Sequence, residues 1–380
     1  MIQKKRILVL TDDRPWGHRS IAKAIFNYLK RNENENNFEV EYAEVKANTV
    51  GIDDLYVFAY RYMPKSTRVF HKFSGSKISS DVLREISILN LENLKSKIDE
   101  FNPDLIISTY FVHSHSLSWW RKKENKKFKL WSVVPDPWTI NPISFIKGVD
   151  LNIVYDETSF KEGLRWGIDK DKMLKTNWWT RLEMYQKFDR QESRKKLGFK
   201  DDRPVIFIGG GSLGTNSLSR FLPIMLMVKK KVGFIINTGT DKLSFNLVEQ
   251  FIKVMKRLKK DDLVQIKQLG WIENMGEVLS ACDIVFGKAG PNFLFDVVAV
   301  RKPFVAITHI GGQEDGNIDL IKKKKIGWVK EKNFELLNFF LKYMENPKIY
   351  NERYLKNISR ERELNKESLP LIMDRIKSEI

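Results

Sequence analysis

This chain has little that speaks for disulfides, membrane spans or nucleoside-triphosphate chemistry. Its single cysteine, Cys282, excludes an internal disulfide, and its place in an apolar segment predicts a buried, inert thiol. No apolar run approaches the ~20 residues that span a bilayer. The start, a basic trio followed by Ile7-Leu8-Val9-Leu10, is too short for a secretory core, so a cytosolic chain opening on a strand is expected. There is no GxxxxGK[ST] loop, and Gly209-Gly210-Gly211-Ser212-Leu213-Gly214 lacks dinucleotide-fingerprint spacing, which counts against ATP and NAD. Zinc-finger spacing, RNA-recognition signatures and internal repeats are also missing.

What the chain does have is length and positive charge. At 380 residues it exceeds one typical core, so two domains are expected. Its 66 Lys/Arg against 48 Asp/Glu give +18, spread as +7 over residues 1–190 and +11 over 191–380. Such a charge favours an anionic partner, nucleic acid or an acidic membrane face. Runs such as Arg121-Lys122-Lys123 and Lys322 to Lys325 are expected to be solvated faces.

Strand and helix patterns alternate in the first half. Strands are expected at Arg6 to Thr11, Phe38 to Val45, Asp104 to Ser108, Leu130 to Val134 and Leu151 to Tyr155, with helices from about Ser20 to Lys30 and Val82 to Phe101. A polar stretch precedes a second unit opening at Pro204-Val205-Ile206-Phe207-Ile208. The organisation is α/β: a first Rossmann-like domain over 1–186, a linker over 187–203, a second Rossmann-like domain over 204–365 and a final helix over 366–380.

The most informative stretch is Gly270 to Asn317. Ile284-Val285-Phe286 reads as a buried strand ending at Gly287-Lys288-Ala289-Gly290, after which Pro291 opens a helix. A helix start with glycines before it and Lys288 nearby is a seat for a diphosphate, because free N–H groups and roughly half a positive charge gather there. Phe293, Leu294, Val297 and Val298 are expected on the buried side, leaving Asn292 and Asp296 one turn apart on the other. Phe304 to Thr308 is a second strand, followed by Gly311-Gly312 and the polar helix opening Gln313-Glu314-Asp315-Gly316-Asn317. Amides and carboxylates at neighbouring strand ends can hold sugar hydroxyls.

In the first half, His18 ends the turn Thr11-Asp12-Asp13-Arg14-Pro15-Trp16-Gly17, where a histidine can take a proton from an acceptor hydroxyl. Asp136, between Pro135 and Pro137, either orients His18, binds an acceptor or is a turn aspartate. His113 and His115 are expected as solvated loop histidines, since two residues of spacing without clustered acids makes a weak metal site. Tyr60, Arg61, Tyr62, Lys65, Arg68 and Phe70 interleave rings and cations, which fits either headgroup docking or a buried helix with snorkelling cations.

The Gly270 to Asn317 block resembles the diacylglycerol glycosyltransferases, the monogalactosyl- and glucosyl-diacylglycerol synthases, and more distantly the lipid II-forming N-acetylglucosaminyltransferase. Gly270-Trp271, Asn274-Met275, Ala281-Cys282-Asp283, Lys288-Ala289-Gly290-Pro291, Pro303, Gly312-Gln313-Glu314 and Gly316-Asn317 carry the resemblance. It implies a GT-B fold, two doubly wound domains facing across a cleft. It further implies a UDP-sugar donor held by Gly210, Gly211, Ser212, Trp271, Lys288, Gly290, Pro291, Asn292 and Asn317, with Asp296 on the ribose and Gln313 and Glu314 on the sugar. His18 and Asp136 take the catalytic positions, and no metal or other cofactor is needed. The membrane-facing acceptor domain decides the 56–73 segment for headgroup docking, with Trp119, Trp120 and Trp131 extending the patch.

The chain departs from the family at Asp296, where glutamate is usual, at Arg14-Pro15-Trp16 in the histidine loop, and at Asn177-Trp178-Trp179-Thr180, which replaces a Gly-x-Pro segment and predicts unusual acceptor or interdomain contacts. The reading is an inverting, metal-independent hexosyltransferase at the inner face of the cell membrane. It acts on a lipid acceptor and an anionic surface rather than nucleic acid. The alternatives are a catalytically weak nucleotide- or lipid-binding relative and a basic nucleic-acid binder.

Overall fold

A computed structural model describes residues 4–14, 17–47, 91–199, 201–209 and 217–380. Pro15, Trp16, Gly210, Gly211, Ser212 and the whole of 48–90, with Tyr60, Arg61, Tyr62, Lys65, Arg68 and Phe70, lie outside the described residues. The chain divides into two compact units, the first of residues 1–182, 310–316 and 364–380, the second of 183–309 and 317–363.

The first unit runs β1 (Lys5–Thr11), α1 (Gly17–Arg31), β2 (Phe38–Glu44), α2 (Leu91–Phe101), β3 (Leu105–Ser108), α3 (Phe111–Glu124), β4 (Lys129–Val133), β5 (Leu151–Val154), α4 (Glu157–Arg165) and β6 (Met173–Lys175). All six strands are parallel, in the order β2-β1-β3-β4-β5-β6. Their continuous apolar runs, Ile7 to Leu10 and Leu105 to Ile107, are fully buried, as a parallel sheet covered on both faces requires. Strand order reverses between β1 and β3, and ligands of open α/β sheets gather at the carboxyl ends of such strands.

α3 corrects the expectation of solvated loop histidines. His113 and His115 sit inside this helix and are buried, and His115 Nε2 lies 2.8 Å from the Ile143 carbonyl. Residues Val112 to Leu117 are buried in an unbroken run, so the helix lacks the one-sided pattern by which helices are recognised in sequence. Trp120 and Trp131 are core residues without solvent exposure, so neither extends a surface patch; Trp119 alone remains partly exposed. Trp178 and Trp179 are buried as well, the Trp178 ring meeting Tyr155 edge-on while the Trp178 backbone N–H donates to Asn365 Oδ1 at 3.0 Å. The departure at 177–180 thus fills the interior of the first unit. Arg121 also turns inward, donating to the Phe128 and Gly148 carbonyls at 3.2 and 2.7 Å.

The second unit runs α5 (Arg190–Lys196), β7 (Val205–Gly209), α6 (Ser217–Leu226), β8 (Val232–Asn237), α7 (Lys242–Arg257), β9 (Val264–Leu269), α8 (Met275–Ser280), β10 (Ile284–Lys288), α9 (Pro291–Ala299), β11 (Phe304–Thr308), α10 (Asp315–Lys324) and β12 (Gly327–Val329). Helices α11 (Asn333–Glu345), α12 (Pro347–Arg353), α13 (Leu355–Lys366) and α14 (Ser368–Glu379) follow, α14 belonging to the first unit. The parallel order β12-β11-β10-β7-β8-β9 places its reversal between β7 and β10. Arg194 on α5 is buried and donates to Asp283 and the Ala281 carbonyl at 2.7 and 2.9 Å, so part of the polar stretch before β7 is built into this unit. Within the Lys322 to Lys325 run, Lys324 pairs with buried Glu361 at 3.1 Å instead of facing solvent. Cys282 is buried, and burial pushes its thiol up to about 12, consistent with an inert core thiol.

Candidate active site

His18 and the loop opening α9 each lie at their unit's strand-order reversal, and the other candidates follow neighbouring strands. In the first unit β1 delivers Thr11 and β3 leads into Thr109. Thr11 Oγ1 lies 2.9 Å from His18 Nδ1, and Thr109 Oγ1 lies 2.9 Å from Thr11 Oγ1 and donates to the His18 carbonyl at 3.0 Å. His18 is the second residue of α1 and buried, its ring 4.8 Å from that of Tyr110, which in turn meets His113 edge-on at 5.2 Å. Burial, reinforced by the charges of Arg14 and Arg19, lowers His18 to about 3. Burial first, then the neighbouring His18 and Arg14, lowers His113 to about 3. Both imidazoles are neutral at physiological pH, and a neutral imidazole keeps the lone pair a base needs.

The turn before His18 is fixed from below. Asp12 is fully buried and accepts from the Ala47 N–H at 2.8 Å and the Arg14 N–H at 3.0 Å, while the Arg14 guanidinium donates to the Ala47 carbonyl at 3.0 Å. Arg14 is therefore a brace for the turn. Sequence reading saw only a replaced flexible residue there and missed Asp12, whose signal was a carboxylate immediately after a buried strand.

Asp136 follows β4 and meets Gln313, whose Nε2 donates to its Oδ1 at 3.4 Å across 177 residues of sequence. Desolvation by the surrounding protein raises the carboxyl to about 7; the Gln313 hydrogen bond opposes the shift and the Glu314 charge adds to it. Some of the residue's surface stays open, but the carboxyl itself is packed by protein, and desolvation governs its proton. Glu314 is buried, and its Oε2 accepts from the Ile310 N–H at 2.9 Å, closing its own turn. Gly316 has no alternative here, since a Cβ would stand 2.5 Å from the Trp138 carbonyl carbon and from Thr139 Oγ1. Gln313 and Glu314 thus fold with Asp136 in the first unit.

In the second unit β10 runs through Lys288, Gly290 caps α9 in an extended conformation (φ −70°, ψ 136°) and Pro291 is the first helical residue. The loop is held on two sides: the Ala289 N–H donates to the Thr308 carbonyl at 2.9 Å, and buried Asn317 donates its Nδ2 to the Ala289 carbonyl at 2.8 Å. Phe293 is not on the buried side as expected; Phe295 takes that place, and Phe293 is half-buried against Phe207 and Phe304. The ring needs glycine beneath it, because a Cβ on Gly287 would come within 2.8 Å of Phe293 and one on Gly209 within 3.2 Å. Asn292 and Asp296 remain half-buried, one turn apart, at the opening of α9. Trp271, just beyond β9, is 73% exposed, and the preceding Gly270 carbonyl accepts from Asn237 Nδ2 at 2.7 Å.

One pair went unread in the sequence. His309, just after β11, has Nδ1 2.6 Å from Glu331 Oε1, and Arg220 binds the Ile307 carbonyl at 2.9 Å and the Glu331 carbonyl. A histidine directly after a buried strand was the available signal.

Comparison with known proteins supplies the class. The monogalactosyldiacylglycerol (MGDG) synthase model matches residues 18–176, and the glycosyltransferase family 28 C-terminal domain model matches residues 205–367. Monogalactosyldiacylglycerol synthase 2 of Arabidopsis thaliana is 24% identical over 345 residues, covering 85% of this chain and 70% of that protein. The UDP-N-acetylglucosamine–N-acetylmuramyl-(pentapeptide) pyrophosphoryl-undecaprenol N-acetylglucosamine transferase of Thermoanaerobacter sp. (strain X514) is 25% identical over 292 residues, covering 72% of this chain and 75% of that one. Among solved structures, Acinetobacter baumannii MurG aligns with a TM-score of 0.57 at 12% identity, covering 98% of this chain and 99% of its own. Anabaena Alr3699/HepE in complex with UDP aligns at 0.56 and 13%, covering 98% of each. The two doubly wound units are those of the GT-B fold, and the chain is a glycosyltransferase that takes its sugar from a nucleotide-sugar donor. Its second half matches the glycosyltransferase family 28 C-terminal domain, and the MGDG synthases and the lipid II-forming transferase are among its relatives.

Proposed function

We propose that this glycosyltransferase moves a hexose from a UDP-sugar to a diacylglycerol-type membrane lipid, with inversion and without a metal, at the cytoplasmic face of a membrane. The acceptor hydroxyl attacks the anomeric carbon from the side opposite the diphosphate, its proton passes to His18, and the bond to UDP breaks. The observation that carries the reading is the opening of α9 at a strand-order reversal, with Lys288 at the strand end and the loop pinned by Asn317. The N–H groups of a helix start, the helix dipole and a cation there stabilise charge growing on the departing diphosphate.

Asp296 binds the ribose, Asn292 and Gly290 border the diphosphate, and Gln313 and Glu314 contact the sugar. Gly210, Gly211, Ser212 and Trp271 complete the donor side. Asp136 assists at the acceptor, and the segment containing Tyr60 to Phe70 meets the lipid. The diacylglycerol and undecaprenol lipids in the relatives' names and the UDP bound by the Anabaena protein support this reading. No helix of the described residues is long and apolar enough to cross a membrane, which is compatible with peripheral attachment. Calorimetric titration with UDP tests the donor half. Asp296→Ala is expected to weaken binding about tenfold, the worth of one or two hydrogen bonds; unchanged affinity removes the ribose assignment.

A further inference from the structure

Helix α7 faces solvent with an apolar stripe that nothing in the unit covers. Val248 and Met255 point into the core, and roughly 100° round the helix from them Leu243, Leu247, Val254 and Leu258 emerge at 81%, 48%, 42% and 54% exposure. Their spacing, i, i+4, i+11 and i+15, keeps all four within one narrow stripe of a 3.6-residue helix. Met227, 49% exposed, adjoins the far end of the stripe, where Lys260 Nζ donates to the Leu226 carbonyl. An ordinary surface helix places its charges there.

The charges flank the stripe. From Leu226 to Lys260 the sequence has nine Lys/Arg and two acids, Asp241 and Glu249. Asp241 caps α7, accepting from the Leu243 and Ser244 N–H groups, and Glu249 pairs with Lys253 at 3.7 Å, which leaves the segment at 9 − 2 = +7. Lys253, Lys256 and Arg257 are exposed beside the apolar residues. An apolar stripe bordered by cations is the composition of a helix that lies in the plane of an acidic bilayer, its side chains reaching below the headgroups. A second copy of the chain would set one strongly basic rim against another, and a nucleic acid would leave the leucines unused.

We propose that α7 and the adjoining end of α6 form a docking surface for an anionic lipid bilayer on the second unit. It goes beyond the reading above, in which lipid contact lies in residues 56–73. Its role is attachment of the donor-binding unit, independent of the acceptor contacts.

The test uses the full chain with Leu247→Cys carrying an environment-sensitive dye; the native Cys282 is buried and does not compete for label. Vesicles of phosphatidylcholine with roughly a third phosphatidylglycerol should shift the dye emission to the blue, and phosphatidylcholine alone should not. In the unlabelled protein, Lys253→Glu with Arg257→Glu should lower vesicle partitioning about tenfold or more while UDP affinity stays the same, which also reports an intact fold. The proposal is overturned if the protein sediments with vesicles and the dye does not respond, or if it does not bind vesicles at all. A blue shift that appears without vesicles as protein concentration rises assigns the stripe to a second copy and also overturns it.

Discussion

Thr11 Oγ1 stands 2.9 Å from His18 Nδ1, and Thr109 Oγ1 stands 2.9 Å from the same Thr11 hydroxyl. Thr109 has one proton for two acceptors, Thr11 Oγ1 and the His18 carbonyl; when it goes to the carbonyl, Thr11 donates to Thr109 and receives Nδ1–H, the tautomer with its lone pair on Nε2. That is the tautomer a proton acceptor needs, set by hydroxyls where many enzymes use a carboxylate. Thr11→Val, which keeps the shape and removes the acceptor, should lower kcat about tenfold with KM little changed, and Thr11→Ser should restore it. Steady-state transfer kinetics of the two variants decide the point.

Asp136 sets a pH dependence. With its carboxyl raised to about 7, it ionises within the physiological range. If it works ionised, kcat/KM should rise through an inflection near pH 7, and Asp136→Asn should erase that inflection. His18, lowered to about 3, should contribute no inflection near its ordinary 6.5.

Stability should respond to acid in a defined window. His18 and His113 are both near 3 when folded and near 6.5 when unfolded, so the unfolded chain takes up more protons between those values. Each histidine's contribution is complete above pH 6.5 and is lost as pH falls, amounting to about 2 kcal/mol between pH 8 and pH 5. Asp136 works the other way, its contribution present below 3.8 and lost as pH rises through about 7, so two histidines oppose one carboxyl. Thermal unfolding of His113→Phe across this range should show a slope reduced by about 2 kcal/mol, whatever the offset from repacking. An unchanged slope means that His113 is not held neutral.

Asn317 fastens the loop between β10 and α9, the proposed diphosphate seat, through the Ala289 carbonyl at 2.8 Å. Asn317→Ala strands a buried carbonyl, at a cost of about 1–3 kcal/mol, and frees the loop. Melting temperature and UDP affinity should fall together in calorimetry. A fall in melting temperature alone would make Asn317 a structural clasp with no part in donor binding.

Much of this was written plainly in the chain. Strands such as Val205–Gly209 and Phe304–Thr308 are short, β-branched and closed by glycine or polar residues, and Pro291 marks a helix start by its own geometry. What stayed hidden was whatever depends on contacts far along the chain. Residues 112–117 are buried around the whole helix, so polar Ser and His residues interrupt the pattern without marking a surface. Trp120 and Trp131 border a basic stretch, yet β4 and α3 draw both rings into the core. Gln313 meets Asp136 and Gly316 lies under Trp138 only once the fold joins segments about 177 residues apart.

The central claim is transfer of a hexose from a UDP-sugar to a lipid hydroxyl with His18 as the base. Its most direct test is a transfer assay offering several UDP-sugars with diacylglycerol and polyprenyl-linked acceptors to the wild type and to His18→Ala. The account predicts a glycolipid product from diacylglycerol and a loss of about 10²–10⁴-fold in kcat in the variant, with UDP binding retained. Full turnover by His18→Ala, or UDP binding by the wild type with no sugar transferred to any of these lipids, would contradict it.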